Sequence, residues 1–288
     1  MRQKEFMVDK DIQMIRELRD ISQERLAADL GVARTTVERW EQQEVEISET
    51  NIEKLYTYAY RNNININKIK EQLYREDYED DRHKLLLHGA KSFIEGNLDV
   101  SKSRENNDFG KGFYCGETLE QAAMFVSAYP KSSIYMMSFC GDGLSSIRYS
   151  VNQDWMLTIA YFRGRLATFC ETPKIKSLIQ KIEAVDYIVA PIADNRMFQI
   201  IDSFIEGEIT DEQCRHCLSA TNLGYQYVFK TQKAVSQIEI LERCYLCKFE
   251  KELYIKNRKL DNKVSEDKIK VAKKQYRGKG LYIDEILI

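Results

Sequence analysis

The chain of 288 residues carries 43 basic and 45 acidic side chains, for a formal net charge of −2. This near neutrality excludes a global attraction to nucleic acid or to a membrane surface, so any such contact must come from a local patch. Hydrophobic residues at 43% and charged residues at 31% exclude a disordered or fibrous chain and predict a folded protein, with length for two domains. No apolar run approaches the roughly 20 residues that a spanning helix needs, and no secretory segment opens the chain, so we predict a cytoplasmic protein without a membrane partner.

Residues 11–43 place apolar side chains at helical spacing, interrupted by Gly31. This pattern predicts a helix, a second helix and a tight turn into a third. Ser22 is an N-cap candidate for the second helix, but Arg25 stands where an acidic residue would complete a capping box. Two more helices, from Ser48 to about Arg61 and from Asn65 to about Tyr74, complete a five-helix module, which we place at residues 1–75.

This module resembles the Xre/lambda-repressor-like DNA-binding family over about residues 11–70. The residues that carry the resemblance are Gln23, Leu26, Ala27, Gly31, Val32, Val37 and Trp40. The resemblance implies that the third helix enters the major groove of DNA, with Gln23 on the preceding helix contacting a phosphate or a base. The implied base readers are Arg34, Thr35, Thr36 and Arg39.

The charge of the module leaves a second interpretation open. Residues 1–75 hold 13 basic and 14 acidic side chains, and an acidic run at 41–49 follows the third helix. Phosphate attraction would therefore be weak, which allows the same fold to serve as a protein-docking or dimerisation module. A homodimer is compatible with either interpretation.

The acidic segment EDYEDD at residues 76–81 predicts a solvated linker, which we place at 76–83. A second domain is then expected at 84–247, followed by a C-terminal extension at 248–288. The extension is rich in Lys and Glu, and it is expected to form a solvated helix and strand or, alternatively, a basic flap that binds a target.

The second domain mixes strand and helix patterns. Buried strands are expected at 84–87, 134–139, 186–193 and 237–241, and helices at 90–97, 152–165 and 231–236, with a polar loop at 98–108. The fold class is therefore α+β, an all-α helix-turn-helix module followed by a mixed α/β domain.

Seven cysteines, an odd number, argue against a closed disulfide framework. Two CxxC pairs, Cys214/Cys217 and Cys244/Cys247, offer four thiolates that zinc could use. The first pair lies in a predicted helix and the second beside a predicted strand, where buried apolar thiols are the more common arrangement. We therefore predict no metal site.

Three short segments of the second domain carry candidate chemistry. Gly110 and Gly112 bracket Lys111 in a bend between Phe109 and the aromatic pair Phe113 and Tyr114, which offers flat faces to a planar ligand. Upstream, His88 and Gly89 end a predicted strand, and downstream stand Tyr225, Gln226 and Tyr227. Together these segments resemble the NAD-binding signature of the poly(ADP-ribose) polymerase and diphtheria-toxin-like branch of ADP-ribosyltransferases. The likeness extends over residues 84–242 to a bacterial family of uncharacterised ADP-ribosyltransferase-like domains.

The resemblance implies a split β-sheet domain that uses NAD as ADP-ribose donor. It implies that His88 hydrogen-bonds the NAD ribose, that the Gly89 backbone pairs with the nicotinamide amide, and that Tyr114 packs near nicotinamide. Phe125 takes the place of the second aromatic residue, where the family often has tyrosine. Arg196, after the strand at 186–193, is a candidate for the pyrophosphate or for a surface salt bridge. The implied NAD contacts are His88, Gly89, Phe109, Gly110, Lys111, Gly112, Phe113, Tyr114, Phe125, Arg196 and Gln226, of which His88, Tyr114 and Gln226 would be catalytic.

Gln226 departs from the active polymerase-like enzymes, which carry glutamate at this position. Cleavage of the nicotinamide–ribose bond creates an oxocarbenium-like cation, and an amide keeps the contact to a ribose hydroxyl but loses the charge. Loss of one such contact costs about 2.7–4 kcal/mol. Polymer elongation is therefore not expected, whereas mono-ADP-ribosylation or NAD hydrolysis stays open.

The two resemblances together imply an NAD-dependent mono-ADP-ribosyltransferase-like effector of toxin or phage-defence type, joined to a DNA-binding module. The alternative is a transcription regulator whose catalytically silent domain senses NAD or ADP-ribose. A third interpretation gives both domains only protein contacts. The sequence does not identify the acceptor of ADP-ribose.

Overall fold

A computed structural model describes residues 6–193, 195–220 and 224–287. Within these ranges the helices are α1 (Val8–Arg19), α2 (Gln23–Leu30), α3 (Arg34–Glu41), α4 (Glu49–Arg61), α5 (Ile66–Tyr78), α6 (Leu119–Val126), α7 (Gln153–Phe162), α8 (Pro173–Glu183), α9 (Asn195–Ile205), α10 (Asp211–Ser219), α11 (Gln232–Val235), α12 (Lys248–Gln275) and α13 (Ile283–Leu287). The strands are β1 (His83–Ala90), β2 (Phe113–Gly116), β3 (Ser133–Cys140), β4 (Ser146–Arg148), β5 (Tyr187–Pro191), β6 (Tyr225–Phe229) and β7 (Ile238–Cys244). The predicted α+β class is confirmed.

The chain divides into two compact units. The first unit contains residues 1–96, 118–139 and 239–257, and the second contains residues 97–117, 140–238 and 258–288. Each unit is therefore assembled from three separate segments of the chain.

The five predicted N-terminal helices are present in the first unit. The Ser22 hydroxyl caps α2 by accepting the N–H of Arg25 at 3.1 Å, and the same interaction joins Ser48 to Asn51 at the start of α4. Gly31 ends α2 with a φ of +67°, the left-handed conformation that favours glycine. Helix α5 continues to Tyr78, beyond the predicted end and into the acidic segment.

The core of the helical module takes part of its packing from the far end of the chain. Val37, Trp40 and Leu55 are buried in it, and so is Cys247, with Tyr245 and Phe249 packed against it. The remaining core of the first unit joins β1, β3, β7 and α6, with Leu85, Leu87, Met136 and Leu241 among its buried residues. The predicted strands at 84–87, 134–139 and 237–241 lie within or overlap β1, β3 and β7, and are confirmed.

The second unit has a mixed sheet in the order β4-β5-β6-β2. Strand β4 is parallel to β5, and β6 is antiparallel to both β5 and β2. Ile188, Ala190 and Val228 project from one face of the sheet into a core shared with α7, α8, α9 and α10. The predicted strand at 186–193 and the predicted helices at 152–165 and 231–236 correspond to β5, α7 and α11.

One local prediction, the helix at 90–97, is wrong. Residues 90–97 form no helix, because Ala90 still belongs to β1 and the Ile94 N–H donates to the Tyr135 hydroxyl at 2.8 Å instead of to a helical carbonyl. So short a segment gains little from helix formation and follows its tertiary contacts. The predicted polar loop at 98–108 is confirmed, and it contains a short 3-10 helix at Val100–Lys102, capped by Asp99.

The extension forms no strand in the part of it that the structure describes. Its helix, α12, runs over 28 residues, and α13 follows. Ile283 and Leu287 of α13 are buried in the core of the second unit, and this packing accounts for a helix where sequence pattern alone indicated a strand. None of the helices described is both long enough and apolar enough to cross a membrane.

Candidate functional site

Helix α3 presents the predicted DNA readers on its outer face. Arg34, Thr35 and Arg39 are exposed and Thr36 is half-buried, whereas Val37 and Trp40 turn inward. This division follows from helical spacing, because positions 37 and 40 share one face. Helix α3 is thus amphipathic, with a polar face toward solvent and an apolar face packed in the core.

Both arginines of α3 have acidic neighbours. Arg34 pairs with Glu38 at 3.1 Å and Arg39 with Glu44 at 3.5 Å, and more than half of each arginine side chain is exposed. Exposed pairs of this kind contribute about 0–1 kcal/mol, so they can open when a phosphate or base competes. These pairs therefore reduce, but do not abolish, the attraction of α3 for DNA.

Gln23, the first residue of α2, is held by the end of α3. Its Nε2 donates to Glu41 at 2.5 Å, and the same carboxylate accepts from Arg16 at 2.6 Å. The hydrogen bond holds the half-buried Gln23 beside the end of α3.

His88 and Gly89 lie near the end of β1 in the first unit, and both are half-buried. A Cβ on Gly89 would lie 2.5 Å from the Ala122 carbonyl oxygen and 2.9 Å from Val126 Cγ1. Strand β1 therefore approaches α6 so closely that only glycine fits at position 89. This packing requires glycine independently of the NAD contact that the resemblance implies. On the same α6, Phe125 is 53% exposed, which leaves its ring available to a planar ligand.

The bend at 109–114 is rigidly built in the second unit. The Tyr114 hydroxyl donates to the Gly110 carbonyl at 2.8 Å and accepts the Phe109 N–H at 3.2 Å. Burial and the nearby Asp108 carboxylate raise the pKa of Tyr114, so its hydroxyl stays protonated as a donor. Gly110 has a φ of +71°, and a Cβ there would lie 2.9 Å from the Phe162 ring.

Lys230, just after β6, closes the same bend. Its Nζ donates to the Phe109 carbonyl at 2.5 Å and to the Lys111 carbonyl at 2.6 Å. Burial lowers the pKa of Lys230 to about 8. The Lys111 side chain turns outward instead and pairs with the exposed Glu105 at 2.9 Å.

Gln226 lies in β6 on the same face of the sheet as Tyr114. Its register partner on β2 is Gly116, two residues from Tyr114, and side chains two residues apart share a face. Gln226 is 8% exposed, and its Nε2 donates to Asp108 Oδ2 at 2.9 Å and to the Pro191 carbonyl at 3.2 Å. Within the described residues, Gln226 Oε1 accepts no hydrogen bond.

Asp108 connects Gln226 to a cation. Its Oδ1 accepts from Arg163 Nη2 at 2.6 Å, and the Arg163 guanidinium lies 4.1 Å from the centre of the Phe198 ring. Asp108 is itself 6% exposed. Arg163, Asp108 and Gln226 therefore form a chain of hydrogen bonds, the 163–108–226 chain, in which every donor of the amide is used.

The sequence did not single out Asp108, Arg163 or Lys230. Asp108 directly precedes Phe109, and a charged residue next to a buried aromatic is the one local signal that it offered. Arg163 and Lys230 follow the last residues of α7 and β6. No pattern in a single sequence predicts that these two residues lie near the bend at 109–114.

Arg196, the candidate for the pyrophosphate, lies at the start of α9. Its Nη1 donates to the Asn262 carbonyl of α12 at 2.9 Å. This contact ties α9 to α12.

The cysteines of both CxxC pairs are buried. Burial raises the pKa of the Cys214 and Cys217 thiols in α10, and it does the same for Cys244 and Cys247. Thiols of this kind resist the deprotonation that metal binding requires. Among the residues described, no cluster of three or more His, Cys, Asp or Glu side chains is arranged to hold a metal.

Comparisons with known proteins give two family matches. A family model described as Helix-turn-helix matches residues 12–55, so the N-terminal helices are a helix-turn-helix module of the DNA-binding type. No match was found among the curated proteins or among the solved structures. A second family model, described as Protein of unknown function (DUF3990), matches residues 85–240, more than half of the chain, and the chain therefore belongs to the DUF3990 family.

Proposed function

We propose that the DUF3990 domain is an NAD-dependent mono-ADP-ribosyltransferase-like effector that the helix-turn-helix module brings to DNA. NAD is the substrate, and the bond that breaks joins nicotinamide to the ribose C1′. Its electron pair leaves with nicotinamide, and the nucleophilic atom of the acceptor bonds to C1′ as it loses its proton. Water as the acceptor would give plain NAD hydrolysis.

The observation that carries the proposal is the state of Gln226. Its amide is buried and held by two acceptors through Nε2, while Oε1 accepts no hydrogen bond among the described residues. An acceptor held in this way suits a ribose hydroxyl, the contact that the resemblance implies. The 53% exposed Phe125 ring supports the proposal further, because it offers a stacking face to a planar ligand.

A catalytically silent sensor of NAD or ADP-ribose is the second candidate, and one observation favours it. The carboxylate next to Gln226 is neutralised by Arg163 at 2.6 Å, so the 163–108–226 chain carries no net charge toward a developing cation. Such a site binds a ribose but gives little electrostatic help to bond cleavage. In that case the module would regulate transcription in response to the nucleotide.

Incubation of the full chain with radiolabelled NAD and a cell lysate separates the candidates. Transfer of label or release of nicotinamide is expected from the wild type and not from His88→Ala. Lys91→Ala is the matched control, since Lys91 is an exposed residue just after the same strand. Binding of NAD in calorimetry without turnover would favour the sensor, and absence of both binding and turnover would refute the two candidates together.

A further inference from the structure

Asp108 has two carboxylate oxygens, and each has a different donor. Oδ1 accepts from Arg163 Nη2 at 2.6 Å and Oδ2 accepts from Gln226 Nε2 at 2.9 Å. A carboxylate suits this position because both of its oxygens accept, whereas the NH2 group of an amide would face one of the two donors.

The two acceptors around Gln226 decide which way its amide points. Nε2 has both of its hydrogens directed at acceptors, Asp108 Oδ2 and the Pro191 carbonyl. With the amide reversed, Oε1 would face these two oxygens, and both contacts would become repulsive. Oε1 is thus fixed as the atom presented away from Asp108.

Asp108 also changes the strength of Oε1 as an acceptor. A hydrogen bond from the amide N–H to an ionised carboxylate is charge-assisted, and hydrogen bonds in series polarise one another. This polarisation increases the negative partial charge on Oε1. Because Asp108 is buried, water does not screen this effect as it would at the surface.

We propose that Asp108 is the positioning residue of this site, which holds and polarises Gln226 so that Oε1 accepts a hydroxyl of the NAD ribose. The inference rests on the proposed function and deepens it. Asp108 lies outside the NAD signature. Its role is to let the Gln226 amide bind the ribose at the position where the active polymerase-like enzymes carry glutamate. Asp108 acts through Gln226, and the atom that meets the substrate is Gln226 Oε1.

The test compares Asp108→Asn with the exchanged pair Asp108→Asn/Gln226→Glu in the full chain. In the single variant, the NH2 group of the introduced amide must face either Arg163 or Gln226, and one of the two hydrogen bonds is lost. The kcat/KM for nicotinamide release should therefore fall at least tenfold. In the exchanged pair, the oxygen of the introduced amide accepts from Arg163 and its nitrogen donates to the new carboxylate, while the hydrogen bond to the Pro191 carbonyl is lost. Activity should therefore rise at least threefold above that of the single variant. Glu105→Gln, which changes an exposed acidic residue three positions earlier in the chain, is the matched control and should leave kcat/KM unchanged.

If the wild type binds NAD but does not cleave it, calorimetry with NAD on the same variants is the test. The Kd for NAD should then weaken at least tenfold in Asp108→Asn and recover in part in the exchanged pair. Wild-type kinetics or affinity in Asp108→Asn would overturn the inference alone, and so would an exchanged pair no better than the single variant. A wild type that neither binds nor cleaves NAD would overturn the proposed function, and the inference with it.

Discussion

The first unit contains a buried ionic cluster whose disruption should be costly. Lys70 of α5 pairs with Asp11 of α1 and with Glu242 of β7, the latter at 2.6 Å, and all three side chains are at most 5% exposed. Tyr56 donates its hydroxyl to Asp11, and Tyr74 donates to Glu242 at 2.9 Å. We define these five residues as the buried cluster.

The substitution Lys70→Met keeps the volume and the apolar stem but leaves two buried carboxylates without their cation. Breaking a buried ion pair by removing one partner costs about 3–5 kcal/mol. With a urea m value of about 2 kcal/mol/M, the unfolding midpoint should fall by about 1.5–2.5 M. The assay is urea unfolding of the full chain at pH 8, followed by far-UV circular dichroism.

Lys68→Met is the matched control on the same helix. Lys68 pairs with Glu120 at 2.7 Å, but its side chain is 55% exposed, so its loss should cost less than about 1 kcal/mol. Equal midpoints for the two variants would refute the view that the buried cluster stabilises the unit.

The pH dependence of the stability lost in Lys70→Met gives a second test of the buried cluster. Burial raises the pKa of Asp11, and Lys70 opposes this effect, so removing Lys70 raises that pKa further. A carboxyl group with a higher pKa in the folded state contributes stability below its unfolded pKa, about 3.9, and loses it as pH rises through the folded value. The gap between Lys70→Met and wild type should therefore be smaller at pH 5 than at pH 8, and a gap that widens toward pH 5 would contradict this reasoning.

Three further predictions concern the bend, its lysine and the DNA-reading helix. Gly110→Ala should destabilise the chain by about 1–3 kcal/mol in urea unfolding, because the new Cβ meets Phe162 at 2.9 Å and the φ of +71° is strained, whereas Gly143→Ala, with φ +70° and open space, should cost about 1–2 kcal/mol. Because burial lowers the pKa of Lys230 to about 8, the folded state binds fewer protons than the unfolded state between pH 8 and 10.5, so the wild type should gain stability relative to Lys230→Met across that interval. The double change Arg34→Ala/Arg39→Ala should weaken binding to the promoter of the protein's own gene at least tenfold in a gel-shift assay, and an unchanged shift would refute direct reading by α3.

Local signals in the sequence were sufficient for most elements. Ser22 predicted a helix start through capping, Gly31 predicted the turn between helices, and an apolar run predicted β5. These features depend on neighbours within a few residues, which is why one sequence reveals them. The segment at 90–97 failed because a tertiary hydrogen bond to Tyr135 decides its backbone.

The sequence indicates candidate site residues only where a residue carries its own chemistry. Gln226 and Tyr114 stand in recognisable patterns, whereas Asp108 acquires its role through partners 55 and 118 residues away. Contacts at such separations are set by the packing of strands and helices, which periodicity does not specify. The acceptor oxygen of Gln226 can be assigned only after those contacts are known.

The helix-turn-helix is not self-contained, and this has a consequence for experiments on DNA binding. Its core includes Cys247, Asn67 donates to the Tyr245 carbonyl at 2.7 Å, and Lys70 needs Glu242. A fragment of residues 1–75 loses these partners and exposes the apolar surface that they cover.

We therefore expect the fragment of residues 1–75 to melt at a lower temperature than the first unit of the full chain and to bind DNA more weakly. A fragment of residues 1–83 shows whether instability comes from the lost contacts with residues 239–257 or from cutting the chain at residue 75. It adds the acidic segment but none of residues 239–257. It should be as unstable as the shorter fragment. If either fragment melted cooperatively at the temperature of the full chain and bound DNA equally well, the partners from β7 and α12 would be dispensable, and the helix-turn-helix would fold without the family domain.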